Sequence, residues 1–131
     1  FLFSFIMTYV DGFVLPVPKK NFKAYKKMAN EGGKIWKRFG ALQYLECRGD
    51  DLNIKPNQGM QVFTFPKLVK PKKGEDIWYS FIIYKSRAHR DMVNSKVMKE
   101  MDKNMAKHKN MKMPFDMKRM AYGGFKVIVG A

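Results

Sequence analysis

Hydrophobic and polar positions along the chain follow two periods, and their order predicts four strands and two long helices. Residues 8–17 and 77–85 are rich in β-branched and aromatic side chains, which is typical of strands. After Pro18 the apolar residues recur about every 3.6 positions, which is the period of an amphipathic helix. The predicted elements are, in chain order, a strand over 8–17, a helix that ends at Gly40, a strand over 41–49, a strand over 77–85, a helix from Ser86 to 106 and a strand over 119–129.

The β-α-β-β-α-β order predicts an α+β, ferredoxin-like fold, in which a four-stranded antiparallel sheet carries both helices on one face. A sheet with one face in water alternates apolar and polar residues. The third predicted strand is instead apolar on both faces, with Ile77, Phe81 and Ile83 on one and Trp78 and Ile82 on the other. The face away from the helices is therefore too apolar to be left in water. A second copy of the chain is the simplest cover, so we predict a homodimer in which sheet lies on sheet.

Two pairs of glycines interrupt otherwise regular elements. Gly32 and Gly33 lie inside the first helix, where each lowers helix stability by about 1 kcal/mol relative to alanine. This placement predicts a close backbone contact or a kink. Gly123 and Gly124 lie in the last strand and predict a bulge or a close approach there. Residues 62–70 are ambiguous between a short strand and a helical turn.

Length and composition limit the class of protein. The 131 residues fit one domain, and 46% apolar residues are too many for a disordered chain. No apolar run approaches the roughly 20 residues that span a bilayer, so we predict no membrane partner. Residues 1–6 precede a Met and are interpreted as a non-native or upstream extension, with 7–131 as the single domain. Cys47 is the only cysteine, which excludes an intrachain disulfide and fits a reducing cytoplasm.

Several short segments spread over the chain form a recognisable set. They are Tyr9–Val14, Gly40–Leu42, Glu46–Cys47, Tyr84–Asp91, Met113–Asp116, Lys118–Met120 and Tyr122–Phe125. Together they resemble the YbaA-like family of bacterial domains of unknown function, from Met7 to Val129. The resemblance implies membership of the dimeric α/β-barrel superfamily, which agrees with the predicted homodimer. That superfamily includes cofactor-free monooxygenases, haem-degrading enzymes, isomerases and plain ligand-binding modules, so the resemblance implies a small-molecule pocket without selecting a chemistry.

Two acidic residues in apolar strands are candidate catalytic groups. Asp11 and Glu46 are costly to bury unless they are paired or hydrogen-bonded. Each is either an acid or base in a pocket, or a residue that forms a salt bridge to an Arg or Lys of a neighbouring strand or faces solvent at an edge of the sheet. If both faced one cavity they would form an acid–base pair.

The start of the second long helix carries a charged cluster. Arg87, His89 and Arg90 follow Ser86, and a helix N-terminus favours anions. In one interpretation Arg87 and Arg90 bind a carboxylate or phosphate while His89, which titrates near neutral pH, carries a proton. In the other, Ser86 caps the helix and the charged residues form dimer or surface pairs.

A third candidate region precedes the last strand. Arg119 could bind an anionic substrate, with Asp116 and Tyr122 beside it, or Asp116 and Arg119 could hold the loop to the sheet. Trp78 could line an aromatic pocket with Tyr44, although aromatics at this spacing are more often core residues. His89 and His108 lack the spacing of metal ligands. We therefore predict neither a metal site nor a cofactor.

The net charge of +15 raises the question of nucleic-acid binding. Most of this charge is lysine, whereas sequence-reading proteins rely on arginine forks. An RNA-binding sheet also needs an open aromatic face, which the homodimer would cover. The leading prediction is a protein that binds a small, anionic molecule in a barrel pocket, with or without cofactor-independent catalysis. Nonspecific nucleic-acid binding and a purely structural dimer are the alternatives.

Overall fold

The fold follows the predicted order of elements. A computed structural model describes residues 8–55, 61–107 and 112–131. The predictions for residues 1–6 and His108 lie outside these ranges. The elements are β1 (Tyr9–Pro18), α1 (Phe22–Arg38), β2 (Gln43–Arg48), α2 (Phe65–Val69), β3 (Glu75–Tyr84), α3 (Arg87–Lys107) and β4 (Ala121–Lys126), with 3-10 turns at Lys19–Asn21 and Met117–Arg119.

The strands form a four-stranded antiparallel sheet in the order β2-β3-β1-β4. This order confirms the α+β prediction and fits a ferredoxin-like arrangement. The ambiguous segment contains a helix, α2, because Thr64 caps its first turn and Pro66 lies within it, where a missing N–H is tolerated. The last strand is shorter than predicted, since its pairing with β1 ends at Lys126.

One face of the sheet holds the core. Leu15, Val17 and Trp78 are buried there against Tyr25 and Ala29 of α1. A second cluster joins the other half of the sheet to α3 through a set of buried residues, namely Tyr9, Ala41, Ile82, Tyr84, Val93 and Val97. The two helices therefore cover the same face, as the split βαβ order predicts.

The opposite face of the sheet is apolar and partly open. Leu45, Tyr79 and Phe125 on this face are 44%, 45% and 62% exposed. Phe81 and Ile83 of the central strand are half-buried beside them. We call this surface the open sheet face. Its composition agrees with the reasoning that predicted a covered second face.

Both glycine pairs mark close approaches. A Cβ added to Gly33 would lie 2.7 Å from Cδ1 of Tyr44, so the ring of Tyr44 lies directly on the helix backbone. At Gly124 a Cβ would lie 2.5 Å from the hydroxyl oxygen of Tyr9. The register between β1 and β4 runs without interruption through Gly123 and Gly124. The last strand therefore has a close approach and no bulge.

Within the described ranges, no helix is long and apolar enough to cross a membrane.

Candidate functional site

A cleft of about 660 Å³ lies between α1 and the edge strand β2. This volume is within the range of small-molecule sites, about 300–1,000 Å³. We call it the α1–β2 cleft. It is lined by Phe22, Lys26, Ala29, Asn30, Gly33, Lys34, Lys37, Tyr44, Glu46, Arg48 and Trp78.

The cleft exists because small residues of α1 face the sheet edge. Ala29 and Gly33 are one turn apart on the buried side of the helix. Gly33 lets the Tyr44 ring of β2 lie against the helix backbone, and Ala29 adds only a methyl group beside Trp78 of β3. The helix and strand backbones thus form the walls, and the longer side chains of α1 stand at the rim.

Glu46 lies on the floor of this cleft with hydroxyl groups around it. Tyr25 donates to its Oε1 at 2.8 Å, and Tyr44 donates to its Oε2 at 2.7 Å. Ser80, which is opposite Glu46 in the sheet, also donates to Oε1. No buried side-chain polar atom in the described chain lacks a hydrogen-bond partner. Burial and the charge of Glu46 raise the pKa of both tyrosines above the usual range, so both hydroxyls stay protonated as donors.

The rim of the cleft is positively charged. Lys26, Lys34, Lys37 and Arg48 line it and are exposed. The Arg48 guanidinium stacks over the ring of Phe22, 4.8 Å from its centroid. Lys37 donates to the carbonyl of Leu42 at 2.8 Å, which ties the end of α1 to the start of β2. The cleft therefore combines cations at its mouth with an acidic acceptor at its floor.

A separate polar network joins α3 to the other half of the sheet. Asp11 is 1% exposed, and its Oδ1 accepts from Nη1 of Arg90 at 2.8 Å. The same nitrogen donates to the hydroxyl of Tyr122 at 2.9 Å. Burial by itself lowers the pKa of Arg90. The nearby Asp11 and then Tyr122 raise the pKa by more than burial lowers it, so the net shift is upward. Asn94 donates to Oδ2 of Asp11 at 3.3 Å.

Asn94 extends this network into the core between the two long helices. Its Oδ1 accepts from Nε1 of Trp36 at 3.0 Å and from the hydroxyl of Tyr84 at 2.9 Å. One amide thus links α1, α3 and the two central strands. The network is a satisfied structural unit, because each of its buried polar side chains has a partner.

Comparison with known proteins places the chain in a family. The family model described as "Protein of unknown function (DUF1428)" matches residues 8–117. The chain belongs to the DUF1428 family. The uncharacterized protein YbaA of Escherichia coli K12 is 42% identical over 123 residues, which cover 94% of this chain and 98% of YbaA. The uncharacterized YbaA of Shigella flexneri matches to the same extent. These matches confirm the family resemblance that the short segments indicated.

In this DUF1428 protein, the candidate residues at the start of α3 have defined partners. The Ser86 hydroxyl accepts from the backbone N–H of His89 at 3.0 Å, and Nδ1 of His89 accepts from the N–H of Lys85 at 3.0 Å. These bonds cap the helix, as one of the two interpretations predicted. Burial, and then the charge of Lys85, lower the pKa of His89. Arg87 is exposed, and Arg90 turns toward the sheet.

The candidates before β4 also have structural partners. Asp116 accepts from the backbone N–H of Lys118 at 3.0 Å and caps the 3-10 turn. Nη1 of Arg119 donates to Glu75 of β3 at 2.7 Å. The loop is thereby held to the sheet. Tyr122 stacks on Phe13 with 4.8 Å between ring centroids.

The structure brings five of the nine sequence candidates together in two places. Asp11, Arg90 and Tyr122 meet in the α3 network, whereas Glu46 and Trp78 share the α1–β2 cleft. Asp11 and Glu46 lie on the same sheet face but on strands either side of β3, about 10 Å or more apart. They share no hydrogen-bond partner, so they form no acid–base pair.

Sequence reasoning missed the rim of the cleft and the donors around Glu46. Lys26, Lys34 and Lys37 were not among the candidate residues. Their spacing does place them along one side of α1, and Arg48 follows Glu46 by two residues on the same strand face. These two spacings are the signal that could have identified the cleft. Tyr25 and Ser80 carry no such signal, because only the fold brings them to Glu46.

Among the described residues, no group of three or more His, Cys, Asp or Glu could hold a metal ion. Cys47 is exposed and lines a smaller hollow of about 230 Å³ with Leu52, Phe65 and Tyr79. This hollow lies at the edge of the open sheet face, away from the α1–β2 cleft.

Proposed function

We propose that this protein binds a small anionic molecule in the α1–β2 cleft. The observation that carries the proposal is a ring of exposed cations around a cleft of about 660 Å³ whose floor is a carboxylate held by hydroxyl donors. A charged rim of this kind concentrates anions at the mouth of a cleft. The apolar surfaces of Trp78 and Phe22 then give the ligand body a place to lie.

Glu46 is the acid–base candidate that belongs to this cleft. Asp11 and His89 serve the attachment of α3 to the sheet. A cofactor-independent reaction in the cleft would therefore use Glu46 as its proton acceptor, with the hydroxyls of Tyr25, Tyr44 and Ser80 holding the carboxylate in place.

Titration calorimetry with benzoate at neutral pH and low ionic strength tests the binding proposal. The double variant Lys34→Gln/Arg48→Gln removes two rim cations and is expected to weaken benzoate binding about tenfold or more. Lys23→Gln/Lys27→Gln removes two exposed α1 lysines that do not line the cleft, so it is the matched control. Equal losses in the two double variants would show a general charge effect and contradict the proposal. So would a wild-type protein that fails to bind millimolar benzoate.

Nonspecific nucleic-acid binding remains the second candidate, favoured by the exposed lysines on the outer side of α1. For this candidate Lys23→Gln/Lys27→Gln is the test variant and Lys34→Gln/Arg48→Gln is the control. Lys23→Gln/Lys27→Gln should weaken binding of duplex DNA, with a shallower dependence on salt. Loss of all DNA binding already at about 50 mM salt would exclude this candidate, because nonspecific phosphate contacts are strongest at low salt.

We also propose that two copies associate through the open sheet face. The positions of this face in the centre of the sheet carry no charge, although the chain has a net charge of +15. Two copies can therefore meet there without bringing like charges into direct contact. The exposed Leu45, Tyr79 and Phe125 supply the apolar area.

Light scattering tests this association. We expect a mass near twice 15.4 kDa for the wild-type protein. Phe125→Lys places a charge on the open sheet face and should shift the population toward monomer. Met98→Lys changes an exposed residue of α3 in the same way and should leave the mass unchanged. A wild-type monomer at micromolar concentration would refute the dimer.

A further inference from the structure

The two oxygens of Glu46 differ in their surroundings. Oε1 accepts from Tyr25 and Ser80, neither of which lines the α1–β2 cleft. Among the residues that the structure describes, Oε2 accepts only from Tyr44, which does line the cleft. A carboxylate oxygen accepts two hydrogen bonds readily. Oε2 therefore keeps acceptor capacity on the side that faces the cleft, and the complementary group of a ligand is a hydrogen-bond donor.

The cationic partner nearest along the strand is Arg48. It follows Glu46 by two residues on the same face of β2, a step of about 6.5–7 Å. Within the described chain its guanidinium stacks on Phe22 and has no carboxylate or carbonyl partner. A stacked guanidinium with a free edge is suited to bind a carboxylate with two parallel hydrogen bonds. Trp78 lies opposite Arg48 in the sheet and forms the floor beside it.

The charge of Glu46 also restricts where an anion can lie. An anionic group placed directly over Glu46 would meet a like charge in a partly enclosed site. The anionic group is therefore displaced toward Arg48 and Lys26, at one end of the cleft. The part of the ligand above Glu46 is neutral or positive.

We infer that the α1–β2 cleft selects carboxylic acids that also carry a hydroxyl or amino donor at the end of the molecule away from the carboxylate. Arg48 holds the carboxylate, and Oε2 of Glu46 accepts from the donor. The inference rests on the function proposed above and adds the class of ligand. It also assigns Glu46 and Arg48 as the residues that determine specificity.

Three matched probes test it by titration calorimetry at neutral pH. 4-Hydroxybenzoate has a carboxylate and a donor at opposite ends of one ring. Benzoate lacks the donor, and 4-methoxybenzoate has an acceptor of similar size in its place. We expect 4-hydroxybenzoate to bind about tenfold tighter than either of the others, as expected for one hydrogen bond to a charged acceptor. Equal affinities for the three would overturn the selectivity.

Two variants connect the preference to Glu46. Glu46→Gln removes the charge of the acceptor and should reduce the ratio of the benzoate and 4-hydroxybenzoate dissociation constants toward one. Tyr44→Phe keeps the carboxylate and removes the protein donor that competes with the ligand for Oε2, so the ratio should rise. The second variant also serves if Glu46→Gln does not fold. A ratio that falls to one in Tyr44→Phe would mean that the hydroxyl binds Tyr44, which contradicts the assignment.

The outcomes separate this inference from the proposed function. If benzoate binds and Lys34→Gln/Arg48→Gln weakens it while the hydroxyl adds nothing, the anion site stands and the inference is wrong. If none of the three probes binds, the proposed function fails and the inference fails with it.

Discussion

The neighbouring glycines of α1 should respond to alanine in opposite directions. Gly32 and Gly33 are both buried in the same helix turn. Alanine adds about 1 kcal/mol of helix stability at either position, because glycine loses more backbone entropy on folding. The two differ in what the new methyl group meets, so the pair separates helix propensity from steric fit.

The distances set the expected magnitudes. At Gly32 the added Cβ lies 3.6–3.8 Å from Trp36, Tyr44 and Met101, which is ordinary contact. Gly32→Ala should therefore raise the free energy of unfolding by about 0.5–1 kcal/mol. At Gly33 the Cβ lies 2.7 and 3.0 Å from two ring carbons of Tyr44. Relieving that overlap costs about 1–3 kcal/mol and moves the hydroxyl that donates to Glu46, whose bond contributes about 1.5–3 kcal/mol. The two losses together outweigh the helix gain of about 1 kcal/mol, so we expect Gly33→Ala to lower the free energy of unfolding by about 1.5–5 kcal/mol.

Urea unfolding followed by tryptophan fluorescence measures both variants, and thermal melts check them at roughly 3–5 °C per kcal/mol for a chain of this length. A shift of the same sign in both alanine variants would refute the steric reasoning. Tyr44→Ala provides the control, because alanine lacks the ring carbons that the new Cβ would meet, so Gly33→Ala should lose most of its penalty in that background. An unchanged penalty in that background would place the strain elsewhere.

Three further predictions concern ion pairs and protonation. Arg90→Met leaves the buried carboxylate of Asp11 without its charged partner and should lower the unfolding free energy by about 3–5 kcal/mol. Arg38→Met removes a partner from an exposed ion pair and should change the unfolding free energy by less than about 1 kcal/mol. If urea unfolding showed equal losses for Arg90→Met and Arg38→Met, the difference in burial between the two pairs would not govern their contributions. Burial lowers the pKa of His89 below its ordinary value of 6.5. The contribution of this residue to the free energy of unfolding should therefore be fully present above pH 6.5 and be lost as the pH falls below it. His89→Gln should remove that loss. An arginine partner lowers the pKa of Glu75, so its contribution should be complete above the ordinary value of 4.5 and be lost at lower pH; acid unfolding of Glu75→Gln that retains the wild-type slope would contradict this.

The order of elements was readable from the chain because it depends on local periodicity. The strand at residues 77–85, the helix that ends at Gly40 and the helix after Ser86 were each predicted to within a few residues of their observed bounds. A period of two or of 3.6 is a property of neighbouring residues. Gly40 could be assigned as a helix end for the same reason, and its φ of 117° is one that glycine adopts without strain.

The interaction partners of the charged residues could not be predicted from the periodicity of the sequence. Sequence placed Asp11, Glu46 and Arg90 in apolar or helix-start positions and left two interpretations open for each. Arg90 reaches Asp11 across 79 positions, and Ser80 reaches Glu46 across 34. Such contacts depend on which strands are neighbours and which helix lies above them.

Sequence alone therefore established the kinds of elements, their order, the α+β class and an unusually apolar second sheet face. The tertiary structure decided that the acidic residues occupy two separate environments, one paired with Arg90 and one surrounded by hydroxyls. It also decided that the lysines of α1, which a helix pattern treats as solvated, stand around a cleft. The physical reason is the distance along the chain over which each feature is determined. The periodicity of apolar residues shows which side of a single helix or strand is buried, whereas a site forms where elements far apart in the chain meet.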